Sequence, residues 1–400
     1  MTYRHKVAAV FLLGFFLDLI NMFIASIAFP DMSRALDVSV SQLAWVSNAY
    51  IIGLTLMVPF SAWLSQRVGA KRLFLFSLML FSGGTLAAGL SQSIDALVFW
   101  RAIQGMGGGL LIPLGQALTW QLYQPHERAK LSAAVMLVGL LAPACSPALG
   151  GLLVQAFSWR WVFFASLPLA LLTFILAARW LSNSASAARP ARFLHLPLLA
   201  DPLLRFAMLV YLCVPGMFIG VNVVGMFYLQ RVTGMSPSAI GSLMLPWSLA
   251  SFAAIAFTGR YFNRLGPRPL IIVGCLLQAA GILLLLMVSP HSATALLVLA
   301  FTLMGAGGSL CSSTAQSSAF LNTANPDMPD ASALWSLNRQ LSFFAGSALL
   351  ALLLSAYPPT FAWHGVFISA AAITLLPLVG CLGVNNRAIV NRLQSNLEKT

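Results

Sequence analysis

The chain has 400 residues, of which 59% are hydrophobic and only 8% charged, with a formal charge of +13 and a mean hydropathy of +0.87. Those values exclude a soluble globular domain of this length. The basic excess is dealt out in small groups between apolar runs rather than gathered in one patch, which argues against nucleic-acid binding as well.

Runs of about twenty apolar residues, enough to cross roughly 30 Å of hydrocarbon as helix, begin near Val7, Leu43, Arg72, Leu97, Leu131, Trp161, Arg205, Ser238, Pro269, Thr294, Ser332 and Phe361. They predict an all-α membrane protein with twelve transmembrane helices. Strand alternation is absent, which argues against an outer-membrane barrel. The first run is too long for a signal peptide and lacks a small-residue cleavage site, so it is expected to stay in the mature protein. Of the lysines and arginines, seventeen lie in the N-terminal tail, the even-numbered connections and the C-terminal tail, and three, Arg34, Arg160 and Arg231, in the odd-numbered ones. The positive-inside rule then places both termini in the cytoplasm and the protein in a bacterial-type inner membrane.

Asp18 is the one acidic residue within an apolar run. A carboxylate near a bilayer centre is costly and rare unless it works, so Asp18 is the candidate for binding a coupling proton. A satisfied polar core residue is the alternative. Gly14, Asp18, Asn21, Ala25 and Ala28 share one small, polar helix face, which is expected to line a cavity. Arg101 falls within the fourth run, about 9 Å inside the hydrocarbon at 1.5 Å per residue, followed by Gln104 and the glycines Gly105 to Gly109. That glycine run follows no strand and lacks the lysine of a phosphate-binding loop, so ATP is not implied.

After the sixth run, the polar stretch SNSASAARPAR opens the longest polar connection. It predicts an N-terminal six-helix bundle over 1–182, a cytoplasmic linker over 183–204, a C-terminal six-helix bundle over 205–384 and a cytoplasmic tail over 385–400. An internal repeat supports two bundles: Arg67-Val68-Gly69 returns as Arg264-Leu265-Gly266, Gly105-Met106-Gly107-Gly108 returns as Gly305-Ala306-Gly307-Gly308, and Gln116 is echoed by Gln316. Duplicated halves are a common plan of secondary transporters, with substrate bound between them near the midplane. Further polar or aromatic residues within the runs, Asn48, Tyr50, Gln116, Trp120, Asn222, Tyr228, Gln278, Gln316, Trp335 and Asn338, are candidates, with Asn21 and Gln104, for a mostly apolar substrate pocket. Each, taken alone, is more often a helix-packing residue than a ligand. The five cysteines lie in apolar stretches without CxxC spacing and the histidines are scattered, so neither a disulfide framework nor a metal site is indicated.

Several motifs carry a family resemblance. The connection Ala62-Trp63-Leu64-Ser65-Gln66-Arg67-Val68-Gly69-Ala70-Lys71-Arg72, the pattern Arg101-Ala102-Ile103-Gln104-Gly105 and the stretch Ala142-Pro143-Ala144-Cys145-Ser146-Pro147-Ala148-Leu149-Gly150-Gly151 together resemble the major facilitator superfamily, and within it the drug:proton antiporter branch. Trp159-Arg160-Trp161 at the start of the sixth run, with Ser166 where asparagine is common, and Ala331-Ser332-Ala333 with Asn338-Arg339-Gln340-Leu341 in the eleventh are similar to the same branch. The chain departs from the pattern at Gln66, where the family usually has aspartate, at Ala142 and Ser146, where glycines are usual, and at Asn21, where the family's first-span aspartate falls one turn after Asp18.

The resemblance implies that Arg101 takes part in proton transfer with Asp18, so that proton affinity follows conformation. It implies that Gln66, Arg67, Gly69, Lys71, Arg72 and Arg339 act in conformational motifs, as do Pro143, Pro147, Gly150 and Gly151 of the span that marks antiporters. The function expected is export of lipophilic or amphiphilic molecules by alternating access, powered by the proton gradient without other cofactor. The working unit is expected to be a monomer in the bilayer, its partners small molecules and protons. A dedicated exporter of one metabolite such as a siderophore, or a proton-coupled importer, fits Asp18 and the span count equally. A membrane enzyme or non-transporting sensor fits less well, because acidic residues are few and no connection is long enough for a soluble domain.

Overall fold

A computed structural model describes residues 2–182, 194–289, 294–358 and 360–397. Linker positions 183–193 and tail positions 398–400 lie outside the described residues. The chain runs through α1 (Tyr3–Ile27), α2 (Phe29–Leu36), α3 (Val40–Met57), α4 (Phe60–Val68), α5 (Ala70–Leu90), α6 (Ile94–Trp120), α7 (Arg128–Ala156), α8 (Trp161–Phe164) and α9 (Leu167–Trp180). It continues as α10 (Pro202–Cys213), α11 (Pro215–Thr233), α12 (Pro237–Ser242), α13 (Met244–Leu265), α14 (Pro267–Leu284), α15 (Thr294–Ala319), α16 (Met328–Ala356), α17 (Ala362–Leu375), α18 (Pro377–Gly380) and α19 (Asn386–Leu397). No strand occurs among the described residues. Eleven helical stretches are long and apolar enough to cross a membrane, and the pair formed by residues 42–57 and 60–68, bent by 57°, brings the count to twelve.

Local sequence explains where these helices start and break. Ser39 caps α3 by accepting from the Gln42 amide at 3.3 Å while the Gln42 side chain accepts from the Ser39 amide at 3.0 Å, a reciprocal box. Pro59 lacks a backbone donor and clashes with the preceding turn, which accounts for the bend between α3 and α4. Pro215 marks the one-residue break at Val214 between α10 and α11, which together form one membrane-crossing stretch. Gly69, at φ +92°, ends α4 in a conformation that side chains rarely adopt.

Two compact units emerge. One comprises Met1–Gln124, Val138–Leu196 and Thr323–Leu337, the other Pro125–Leu137, Pro197–Asn322 and Asn338–Thr400. In the first, α6 is the central helix, with α3 against one side and α5 against another. Helices without a hydrophobic driving force between them gain from close backbone approach, and small residues permit it. A Cβ on Gly105 would strike the Tyr50 carbonyl, one on Gly109 the Leu54 carbonyl, and one on Gly107 would lie 2.6 Å from the Phe81 amide.

The second unit repeats the design, since Gly305 meets the Trp247 backbone and Gly307 the Gln278 amide. Tyr50 and Trp247 thus play one role, as do Phe81 and Gln278. Gly105→Val is expected to destabilise the protein by about 1–3 kcal/mol or more through overpacking, read as a lower melting temperature in detergent. Gly83→Val, at a position with nothing within 4 Å of its missing Cβ, should leave that temperature unchanged.

Candidate functional site

Asp18 and Asn21 lie one turn apart on α1, and both are completely buried. Small neighbours allow this: Gly14 lies over Leu111, and a Cβ on Gly108 would occupy the place of the Asp18 Oδ1 atom. The small, polar stripe of α1 is therefore packed against α6 rather than lining an open cavity, because the features that would suit a cavity wall also suit a tight helix crossing. Tyr50 of α3, likewise buried, donates its hydroxyl to Asp18 Oδ1.

Arg101 of α6 is fully buried and spends its guanidinium on three elements. Its Nε donates to the Val46 carbonyl at 3.0 Å, one terminal nitrogen to Gln104 Oε1 at 2.7 Å and the other to the Asn21 carbonyl at 3.2 Å. Gln104 Nε2 continues to Asn21 Oδ1 at 3.0 Å, where the Ser166 hydroxyl also donates at 3.3 Å. The guanidinium carbon lies 4.4 Å from the Tyr50 ring centroid and 5.7 Å from that of Phe163, distances at which a ring face attracts a cation. Tyr50 therefore touches both charged groups, the carboxylate through its hydroxyl and the guanidinium through its ring. Four helices, α1, α3, α6 and α8 with its following turn, converge on this cluster.

The sequence alone sets Tyr50 only among the general pocket candidates and Ser166 only within a motif at the start of the sixth run, and it does not single out Phe163. Their part depends on contacts far along the chain, which helical periodicity does not report. Beside the cluster, α1, α7, α8 and α9 border an open apolar cavity of about 460 Å³ lined by residues such as Phe16, Ile20, Leu153 and Phe157. Ser166, which also lines it, links its wall to Asn21.

The remaining candidates are more dispersed. In the first unit Gln116, Trp120 and Trp335 are buried, Trp120 with its ring edge-on to Phe11, whereas Asn48 is exposed. In the second unit Asn222 donates to the Met244 sulfur at 3.7 Å, the Tyr228 hydroxyl to the Val288 carbonyl at 3.3 Å and Asn338 to the Met208 carbonyl at 3.3 Å. Gln316 is buried there and Arg339 half-buried.

Around the turn after α4, Gln66 Nε2 donates to Asp330 Oδ2 at 3.3 Å within the first unit, and the Arg67 guanidinium stacks on Trp63 at 4.3 Å. Lys71 is half-buried and Arg72 exposed. In α7, Pro143 is half-buried, a Cβ on Gly150 would lie 3.1 Å from Ile24 and Ile27, and Gly151 has nothing within 4 Å of its missing Cβ. The side chain of Pro147 lies outside the described residues.

Comparison with known proteins agrees with this architecture. The family model described as Major Facilitator Superfamily matches residues 11–251 and 208–392. A protein of Mycobacterium tuberculosis (strain CDC 1551 / Oshkosh) named "Multidrug resistance protein B homolog" is 28% identical over 374 residues, covering 78% of this chain and 69% of that protein. The "Putative multidrug resistance protein MdtD" of Klebsiella pneumoniae (strain 342) is 27% identical over 435 aligned positions, 91% of each chain. Among solved structures, a bacterial homologue of the iron transporter ferroportin superposes with a TM-score of 0.76 at 15% identity over 96% of this chain and 99% of the other, a likeness of fold alone. With the family model spanning both repeats, the chain belongs to the Major Facilitator Superfamily.

Proposed function

We propose that the protein exports lipophilic or amphiphilic small molecules from the cytoplasm by alternating access, in exchange for protons carried by Asp18. The observation that carries this reading is the buried Asp18–Tyr50–Arg101 arrangement in the first unit. A carboxylate moved out of water costs several kcal/mol, and here a hydroxyl donor and a nearby guanidinium offset that cost. Reorientation of Tyr50 or Arg101 changes the balance, so the same motion that opens the site alters its hold on a proton. Asn21, neutral where the family usually has aspartate, anchors Arg101 through its carbonyl and leaves the proton to Asp18.

The apolar cavity beside Ser166 supports cargo with a large apolar body and few fixed polar contacts. Relatives named for multidrug resistance support export. The distribution of lysine and arginine supports both ends lying in the cytoplasm of an inner membrane. One chain holds both halves of the repeat, which supports a monomeric working unit. The proton gradient supplies the energy, a charge crossing the membrane gaining about 2.3 kcal/mol per 100 mV.

The test is flux in proteoliposomes holding the purified protein, a pH dye and a panel of lipophilic dyes. Dye movement against its gradient should be matched by proton movement the opposite way and should collapse with a protonophore. Dye movement indifferent to the protonophore would overturn proton coupling. Movement of no dye in the panel would overturn the cargo class.

A further inference from the structure

We propose that the turn between α13 and α14, together with the start of α19, binds the phosphodiester headgroup of an anionic glycerophospholipid. A polar cavity of about 480 Å³ opens there, lined by Arg268, Leu382, Gly383, Val384, Asn385, Asn386 and Arg387. One side chain ties together the backbone segments that carry its two cations. Asn386 donates to the Leu265 carbonyl at 2.7 Å and accepts from the Arg268 amide at 3.1 Å. Gly266, at φ +74°, has no room for a Cβ because Asn386 fills that space. The staple therefore fixes Arg268, two residues after Gly266, and Arg387, next to Asn386, on the rim of one cavity. The matching turn of the first half, at Gly69, has nothing within 4 Å of its missing Cβ.

Neither guanidinium has a hydrogen-bond or ion-pair partner among the described residues. Two other arginines, by contrast, are occupied: Arg160 donates to the carbonyls of Gly89 and Ser91, and Arg392 to Asn322 and to the Leu321 carbonyl. The segments that line the cavity contribute no acid of their own, since residues 202–326 and 331–397 contain no Asp or Glu. The two arginines are therefore open to an external anion.

Two features select a lipid over a soluble anion. The cavity closes the end of a membrane-crossing stretch, Ala362–Gly383. Val379, before the cavity, and Leu382, on its edge, are 70% and 76% exposed and present an apolar outer face along which acyl chains can lie. A phosphodiester above and hydrocarbon below is the chemistry of a phospholipid, and guanidinium forks bind phosphate oxygens in pairs.

The experiment uses the full chain in nanodiscs of phosphatidylglycerol and phosphatidylcholine, with retained lipid read by native mass spectrometry after transfer to detergent. The wild type should retain phosphatidylglycerol in preference to phosphatidylcholine. Arg268→Gln and Arg387→Gln should each lower that preference about fivefold, and a large excess of inorganic phosphate should not displace the lipid. Arg264→Gln removes the same charge from an exposed position on the same turn but outside the cavity, and should leave the preference intact. Arg387 is exposed, so its variant keeps the fold, checked by an unchanged melting temperature. The proposal is overturned by unaltered retention in both cavity variants, by an equal loss in Arg264→Gln, which would reveal charge counting alone, or by displacement with phosphate.

Discussion

Asp18→Asn is expected to reduce proton-driven efflux to background while the protein still inserts, folds and binds cargo. The substitution is nearly isosteric, so the side chain still fits against Gly108, and its oxygen still accepts from the Tyr50 hydroxyl. What it removes is the one carboxyl group of α1. Because a buried carboxylate is exchanged for a neutral amide, stability changes by no more than about 1 kcal/mol. Everted vesicles energised by respiration provide the readout, with binding of a fluorescent substrate as the companion measurement. Full uphill efflux by the variant would remove Asp18 from the coupling mechanism and with it the proposed energy source.

Arg101→Ala has the larger structural effect, because the guanidinium joins three helices. Its removal strips donors from the carbonyls of Val46 and Asn21 and from Gln104 Oε1 in a region sealed from water. Breaking a buried, charged network of this kind costs about 3–5 kcal/mol, so the melting temperature should fall and transport should be lost. Arg101→Lys separates charge from geometry. An ammonium restores the cation, but a point charge lacks the planar fork that reaches Val46, Asn21 and Gln104 together. Transport should stay below a tenth of wild type, about the effect of losing 1.4 kcal/mol, with only part of the stability recovered. A fully active lysine variant would show that charge alone matters at this position.

Much of the fold is legible from residue types. The spans follow from hydropathy, and the glycine run of α6 follows from the need for helices to approach closely in a medium that does not squeeze them together. The repeat, visible at Arg67 and Arg264, extends to a pair that sequence similarity hides: Tyr50 and Trp247 share a backbone position beneath Gly105 and Gly305 but differ in side chain. The bend at Pro59 is harder to read, since one apolar run crosses it without interruption.

At the site, Asp18 and Arg101 stand out because ionisable groups are rare at membrane depth. Tyr50 and Ser166 do not, because a tyrosine or a serine in an apolar run carries no signal until the partner 32 or 145 residues away is in place. The α1 stripe misleads for a related reason: smallness is required both of a cavity wall and of a helix crossing.

The hydrogen bond from Gln66 to Asp330 ties the amide at position 66 to a carboxylate at the start of α16, 264 residues away. Aspartate at position 66 would set two carboxylates face to face, each disfavouring the charge of the other. While Asp330 is in place, the glutamine of this chain and the acid of the superfamily motif are therefore not interchangeable, and a substitution at one position changes what the other tolerates.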